Sequence, residues 1–309
     1  MDFYKGANFA VFAPAGALSS AEAQDSIRKM VDRLHTNTVI LVPNGLMDTP
    51  QSTTIDYSSS ATYTDEELIA MIQQCKAMGM KVMLKPTVNC RNGMWRAYIS
   101  FFEEDVVCEP KWSEWFAAYT EFQVHYAKIA EQTGCDMLIA GCEMVMSEHR
   151  DREWREVIAA IRKEYGGPVS YNTDKYQEHR VTWWDAVDVI ATSGYYPTDR
   201  WEAELDRIEA VSRKYGKPVF FSELGCMSTH GASVAPNNWC VRGDVDTQEQ
   251  AEWYRGMIEA CSKRDWICGI AIWDWCHHLY PERKACEDRF YGIYAKPAEK
   301  VLAEFFMTR

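Results

Sequence analysis

No stretch of this chain approaches the roughly 20 apolar residues that a membrane-crossing helix needs. It has no basic run either. With 33 Lys and Arg against 45 Asp and Glu, its formal net charge of −12 excludes the basic footprint of a nucleic-acid binder and disfavours anionic polysaccharides. No Gly-, Ser- or Pro-rich linker, low-complexity tract or internal repeat divides the chain. The 11 cysteines are odd in number and form no Cys-x-x-Cys pair or other zinc-ligand spacing, so they read as small buried hydrophobes in a reducing compartment. The first residues carry no basic and apolar leader, and a cytoplasmic location is expected.

What is present is 309 residues, 47% of them hydrophobic, enough for a sizeable core without disulfide, metal or cofactor. A single domain spanning residues 1–309 is expected. The 12 Trp and 16 Tyr exceed what a core requires and point to a neutral substrate with apolar faces. The oligomeric state is not readable.

Apolar, unalternating runs recur between helical patterns: Gly6 to Phe12, Thr38 to Pro43, Lys81 to Pro86, Asp136 to Glu143, Pro168 to Asn172, Asp188 to Ser193, Pro218 to Glu223 and Ile267 to Trp273. Ser19 and Glu22 have capping-box spacing before the first helix, and Thr64 and Glu67 before the second. A helix closes at Gly134, a short helical segment lies near Trp183, and others run from about Trp201 to Tyr215, Thr247 to Lys263 and Ala298 to Phe306. Eight strands buried on both faces and separated by helices predict an α/β fold, a (β/α)8 TIM barrel. An open doubly wound sheet is disfavoured, because no Gly-rich phosphate turn follows the first strand.

Chemistry in such barrels sits where strands end. Those positions hold Asn8, Asn44, Lys85 with Asn89, Glu143, Asn172 with Asp174, Tyr195 with Tyr196, Glu223, and Trp273 with Asp274. Glu143 and Glu223 directly end apolar strands, where a carboxylate is costly without a partner. Either alone is as readily a buried ion pair; both together, on the fourth and seventh strands, favour function.

Several segments resemble glycoside hydrolase family 113, within the large clan of retaining β-glycosidases: LKPTVNCRNGMWR at Leu84 to Arg96, WSEWFAAYTEF at Trp112 to Phe122, AGCE at Ala140 to Glu143, SGYYP at Ser193 to Pro197 and PVFFSELG at Pro218 to Gly225. The resemblance implies Glu143 as acid/base and Glu223 as nucleophile, acting on neutral β-linked oligosaccharides, with β-1,4-mannosides foremost. Exo-β-mannosidase, xylan- or glucan-active and transglycosylase specificities are the alternatives within the clan, and a non-catalytic sugar-binding barrel is the one outside it. The chain has Cys142 where the wider clan usually places an Asn that binds the sugar 2-hydroxyl, and Thr87 where many relatives place His.

Retention requires the two carboxyls about 5 to 5.5 Å apart. Trp273 is the candidate aromatic floor beneath the sugar, against ordinary core packing. Tyr196 or Tyr195 is placed to orient Glu223, and Lys85 to meet a carboxylate or sugar hydroxyls. Asn8, Asn89, Trp95, Asn172 and Asp174 complete the expected substrate-binding set, with Trp239, Trp275 and Tyr280 as further platforms. Trp112, Trp115 and Trp154 fall at helical spacing and read as core. No metal site is expected, since His277-His278 lacks a third ligand at suitable local spacing.

Overall fold

In the computed structural model, which describes residues 2–309, the apolar runs become strands. In chain order these are β1 (Tyr4–Phe9), β2 (Thr38–Leu41), β3 (Asn44–Met47), β4 (Lys81–Leu84), β5 (Thr87–Cys90), β6 (Met137–Cys142), β7 (Val169–Thr173), β8 (Val189–Gly194), β9 (Val219–Leu224) and β10 (Ile267–Trp275). Eight close into a barrel in the order β1-β10-β9-β8-β7-β6-β4-β2, and every pair is parallel. The fold is therefore the expected (β/α)8 barrel.

Strand alternation sorts the apolar side chains into two layers. Ile40, Val42, Met83, Met137, Ile139, Val189, Phe220 and Ala271 form a cluster inside the barrel. Neighbours such as Val39, Leu41, Val82, Leu138 and Phe221 face outward and pack in the larger core shared with the helices. Those helices are α1 (Ala21–Leu34), α2 (Asp65–Ala77), α3 (Trp112–Thr133), α4 (Asp151–Glu164), α5 (Trp201–Tyr215), α6 (Thr247–Cys261) and α7 (Pro297–Met307). Trp112, Trp115 and Trp154 are buried in that outer layer, as their helical spacing implies.

Local signals fare unevenly. Thr64 and Glu67 close a reciprocal capping box at 3.0 and 3.3 Å, and Gly134 ends α3 in the left-handed region at φ 63°. At α1 the cap is Ser20, which accepts from the Ala23 amide at 3.1 Å, while Ser19 turns back to the Gly16 carbonyl. The segment near Trp183 is one 3-10 turn, Trp184–Ala186, and α6 stops two residues before Lys263.

The pair β3 and β5 was not foreseen. Both lie just past a barrel strand, beyond Pro43 and Pro86, and pair with each other in parallel from Asn44↔Thr87 to Met47↔Cys90. A proline has no N–H for a ladder, so the barrel strands stop there and the chain starts a second, smaller sheet. That sheet carries Asn44 and Asn89 towards the barrel mouth.

Candidate active site

Glu223, in β9, is 2% exposed and has three donors. Lys85 Nζ donates to Oε2 at 2.7 Å, the Cys142 thiol to the same oxygen at 3.4 Å, and the Tyr195 hydroxyl to Oε1 at 3.2 Å. Burial pushes this carboxyl up, but the charges of Lys85 and Arg96 and the Lys85 hydrogen bond outweigh it and hold the group below its ordinary value. Glu223 is therefore an anion held in place.

Glu143 follows β6 at φ 54°, in the left-handed region that a non-glycine residue adopts at a cost of roughly 1 to 3 kcal/mol. The preceding turn is tight: a Cβ on Gly141, itself at φ 106°, would meet the Tyr119 hydroxyl at 2.1 Å. The glycine lets the chain pass Tyr119, and the Glu143 amide then bonds the Asn172 carbonyl at 2.7 Å. Three side chains hold the carboxyl: Trp95 Nε1 at 3.1 Å and Arg96 at 3.0 Å on Oε2, and the Ser193 hydroxyl at 2.8 Å on Oε1.

The two carboxyls face each other, with a donor atom of each, and the Cys142 Sγ, all within 4.8 Å of one another. So close an approach of the two carboxyls suits retaining hydrolysis, where they stand about 5 to 5.5 Å apart, better than the roughly 6.5 to 9.5 Å of inverting pairs. The three groups could in principle ligate a metal ion. Lys85 and Arg96 already lie against the two carboxyls, however, and a cation would enter beside two fixed positive charges.

The other expected residues divide. Half-buried Trp273 has Lys85 Nζ 5.3 Å from its ring centroid, which places an indole face beside the carboxylate pair. Trp95 reaches Glu143, and exposed Trp239 meets Trp95 edge-on at 6.2 Å. Asp174 pairs with Lys175 at 3.2 Å, and burial together with the charge of Glu143 pushes its carboxyl up to about 8. Asn89 takes a hydrogen bond from Arg96 at 3.1 Å and donates to Asn44 at 2.7 Å, so it steers the arginine.

Four positions are corrected. Tyr196 is fully buried and donates to Glu178 at 2.7 Å, away from Glu223; Tyr195, on the same strand face as Ser193, takes that place. Asn8 is wholly buried, its amide spent on the Ser222 and Ile272 carbonyls at 2.9 and 3.0 Å. Asn172, equally buried, accepts from Ser222 and donates to Ser193 at 3.0 Å, extending a hydrogen-bond chain that ends on Glu143. Trp275 is no platform: its indole is buried against Ser26 at 3.0 Å.

Arg96 and Ser193 were missed. Neither ends a strand run with a charge, although Arg96 sits in the aromatic segment MWR after β5, where a buried arginine needs an acid. Tyr291, from the loop before α7, also reaches the site, edge-on to Tyr195 at 5.9 Å.

A parallel barrel whose fourth and seventh strands bring two buried carboxylates together at its mouth defines the class of barrel glycoside hydrolases. The model of "Glycoside Hydrolase Family 113" matches residues 7–296, and the chain belongs to that family. A solved GH113 β-1,4-mannanase, in a complex, is 48% identical with a TM-score of 0.99 over 100% of both chains. The GH113 β-mannanase AaManA from Alicyclobacillus acidocaldarius, in complex with ManMIm, is 40% identical with a TM-score of 0.96, covering 100% of this chain and 98% of that one. A β-D-glucuronidase from Dictyoglomus thermophilum, 15% identical with a TM-score of 0.67 over 100% of this chain and 51% of its own, shares the fold alone. No curated protein matches the chain.

Proposed function

We propose that this glycoside hydrolase cleaves β-1,4-mannosides with retention of configuration, with Glu223 as nucleophile and Glu143 as acid/base. The observation that carries the reading is the carboxylate pair within 4.8 Å, one member held ionised beside Lys85. The substrate rests on the 48% identical β-1,4-mannanase.

Glu223 attacks the anomeric carbon as the bond to the leaving oxygen breaks, and the Glu143 proton passes to that oxygen. A covalent glycosyl-enzyme results, and the charge of Glu223 is consumed in its ester. Glu143, now ionised, takes a proton from water, whose oxygen attacks the anomeric carbon and releases Glu223. Trp273 offers its ring face to the apolar C–H face of the sugar. Residues 1–309 act as one catalytic domain in this reading. A cytoplasmic location is proposed with it, since 11 free cysteines, three of them exposed, suit a reducing compartment.

Azide separates the roles. Glu223→Ala with an activated β-mannoside should give the α-azide, because azide enters the vacated space and attacks once. Glu143→Ala should give the β-azide, because Glu223 still forms the intermediate and azide needs no general base. The opposite pattern exchanges the roles, and full activity in both variants rejects the site. Product analysis on manno-, xylo- and cello-oligosaccharides tests the sugar, and preference for a set other than manno- rejects it.

A further inference from the structure

Behind the aromatic floor, the chain leaving β10 places three donors together. Cys276, His277 and His278 each offer an atom within 4.8 Å of the others. Cys276 Sγ lies 3.5 Å from His278 Nδ1, and that nitrogen lies 3.2 Å from His277 Nε2. A tetrahedral zinc ion with bonds of about 2.3 Å to sulfur and 2.05 Å to nitrogen requires S···N and N···N edges of about 3.6 and 3.3 Å. The two edges that meet at His278 already have those lengths, and the third, from Cys276 to His277, lies within 4.8 Å. Spacing rules look for a third ligand two or more residues away, and here it is the residue directly before the histidine pair.

The segment is anchored and reachable. The Ser26 hydroxyl holds the Cys276 carbonyl at 2.6 Å, while Cys276 and His277 are half-buried and His278 is exposed. A cavity of about 310 Å³ is lined by Cys276 and His278 together with the carboxyl-bearing Asp274 and Asp288, leaving room for water or a carboxylate as fourth ligand.

We propose that Cys276, His277 and His278 form a binding site for a borderline-soft divalent cation, with zinc as the fitting ion. Binding deprotonates the thiol and releases one proton to solvent, while both imidazoles bind neutral. The site is separate from the carboxylate pair and does not depend on the glycosidase reading.

Cobalt(II) tests it, because a cobalt–thiolate bond gives a near-ultraviolet charge-transfer band. The chelator-treated full chain should bind one cobalt ion with that band, and zinc should displace it. Cys276→Ser should abolish the band, and His277→Ala and His278→Ala should each weaken binding about tenfold or more. Glu223→Gln should leave the band intact, which separates this site from the carboxylates. Unchanged circular dichroism in the variants shows that the fold persists. A missing band in the wild type overturns the proposal. So does a band that survives in Cys276→Ser, which would move the thiolate to exposed Cys108, Cys240 or Cys286.

Discussion

Lys85 sets the character of the site, because a wholly buried ammonium 2.7 Å from Glu223 opposes what burial does to the carboxylate. In Lys85→Met, burial acts with less opposition and Glu223 takes up its proton at higher pH. The acidic limb of the kcat/KM profile should therefore move to higher pH, while the same limb in a conservative Lys85→Arg moves less. A limb that stays in place in Lys85→Met refutes this account of Lys85. The two tyrosines divide function from stability in the same way. Tyr195→Phe removes a donor from Glu223 and should lower kcat about tenfold with little change in Tm. Tyr196→Phe strips a partner from buried Glu178 and should cost about 1 to 3 kcal/mol of stability while the folded protein keeps its rate. The alternation of β8 continues past Gly194, with Ser193 and Tyr195 on the inner face and Thr192 and Tyr196 both on Glu178, but the sequence does not mark which face of the run points inward.

At the scale of elements, the ends of β6 and β7 are fastened by another acid. Glu148, in the turn after β6, accepts from Tyr171 at 2.8 Å and Thr173 at 2.7 Å on β7, and burial pushes its carboxyl from an ordinary 4.5 up to about 8. A carboxyl raised on folding holds its proton more tightly in the native state. Its contribution is fully present below about pH 4.5 and is lost as pH rises through about 8. Glu148→Gln keeps the shape without the titration, so stability should fall less steeply between pH 5 and 8 than in the wild type, with a difference on the order of a few kcal/mol. Parallel denaturation curves would show that Glu148 is ionised throughout. The eight barrel strands were legible because each is a continuous apolar run, whereas β3 and β5 are mixed four-residue segments behind prolines, too short for a hydrophobic period to mark. Glu143 and Glu223 were legible for a related reason, as charges closing apolar runs. Arg96 was not, because its carboxylate partner lies 47 residues away on another element.

For the molecule as a whole, charge decides which sugars are admitted. The fold is shared with β-glucuronidases, whose substrates carry a carboxylate, yet the net charge here is −12 and the cations described at the mouth are already engaged. Lys85 lies on Glu223, Arg96 on Glu143 and Lys175 on Asp174. A uronic acid would bring its carboxylate beside the Glu223 anion, and like charges brought together at a binding surface cost several kcal/mol. An aryl β-glucuronide should therefore react with kcat/KM at least about a hundredfold below the matching neutral β-mannoside, since 1.4 kcal/mol is a factor of ten. Part of the penalty comes from exposed charge and is screened by salt, so raising the ionic strength should narrow the gap while leaving the neutral substrate unaffected. Comparable rates on the two glycosides would mean that a cation at the mouth is freed on binding, and Lys175, held by a single neighbouring aspartate and lying 5.9 Å from the Trp95 ring centroid, would be the first to examine.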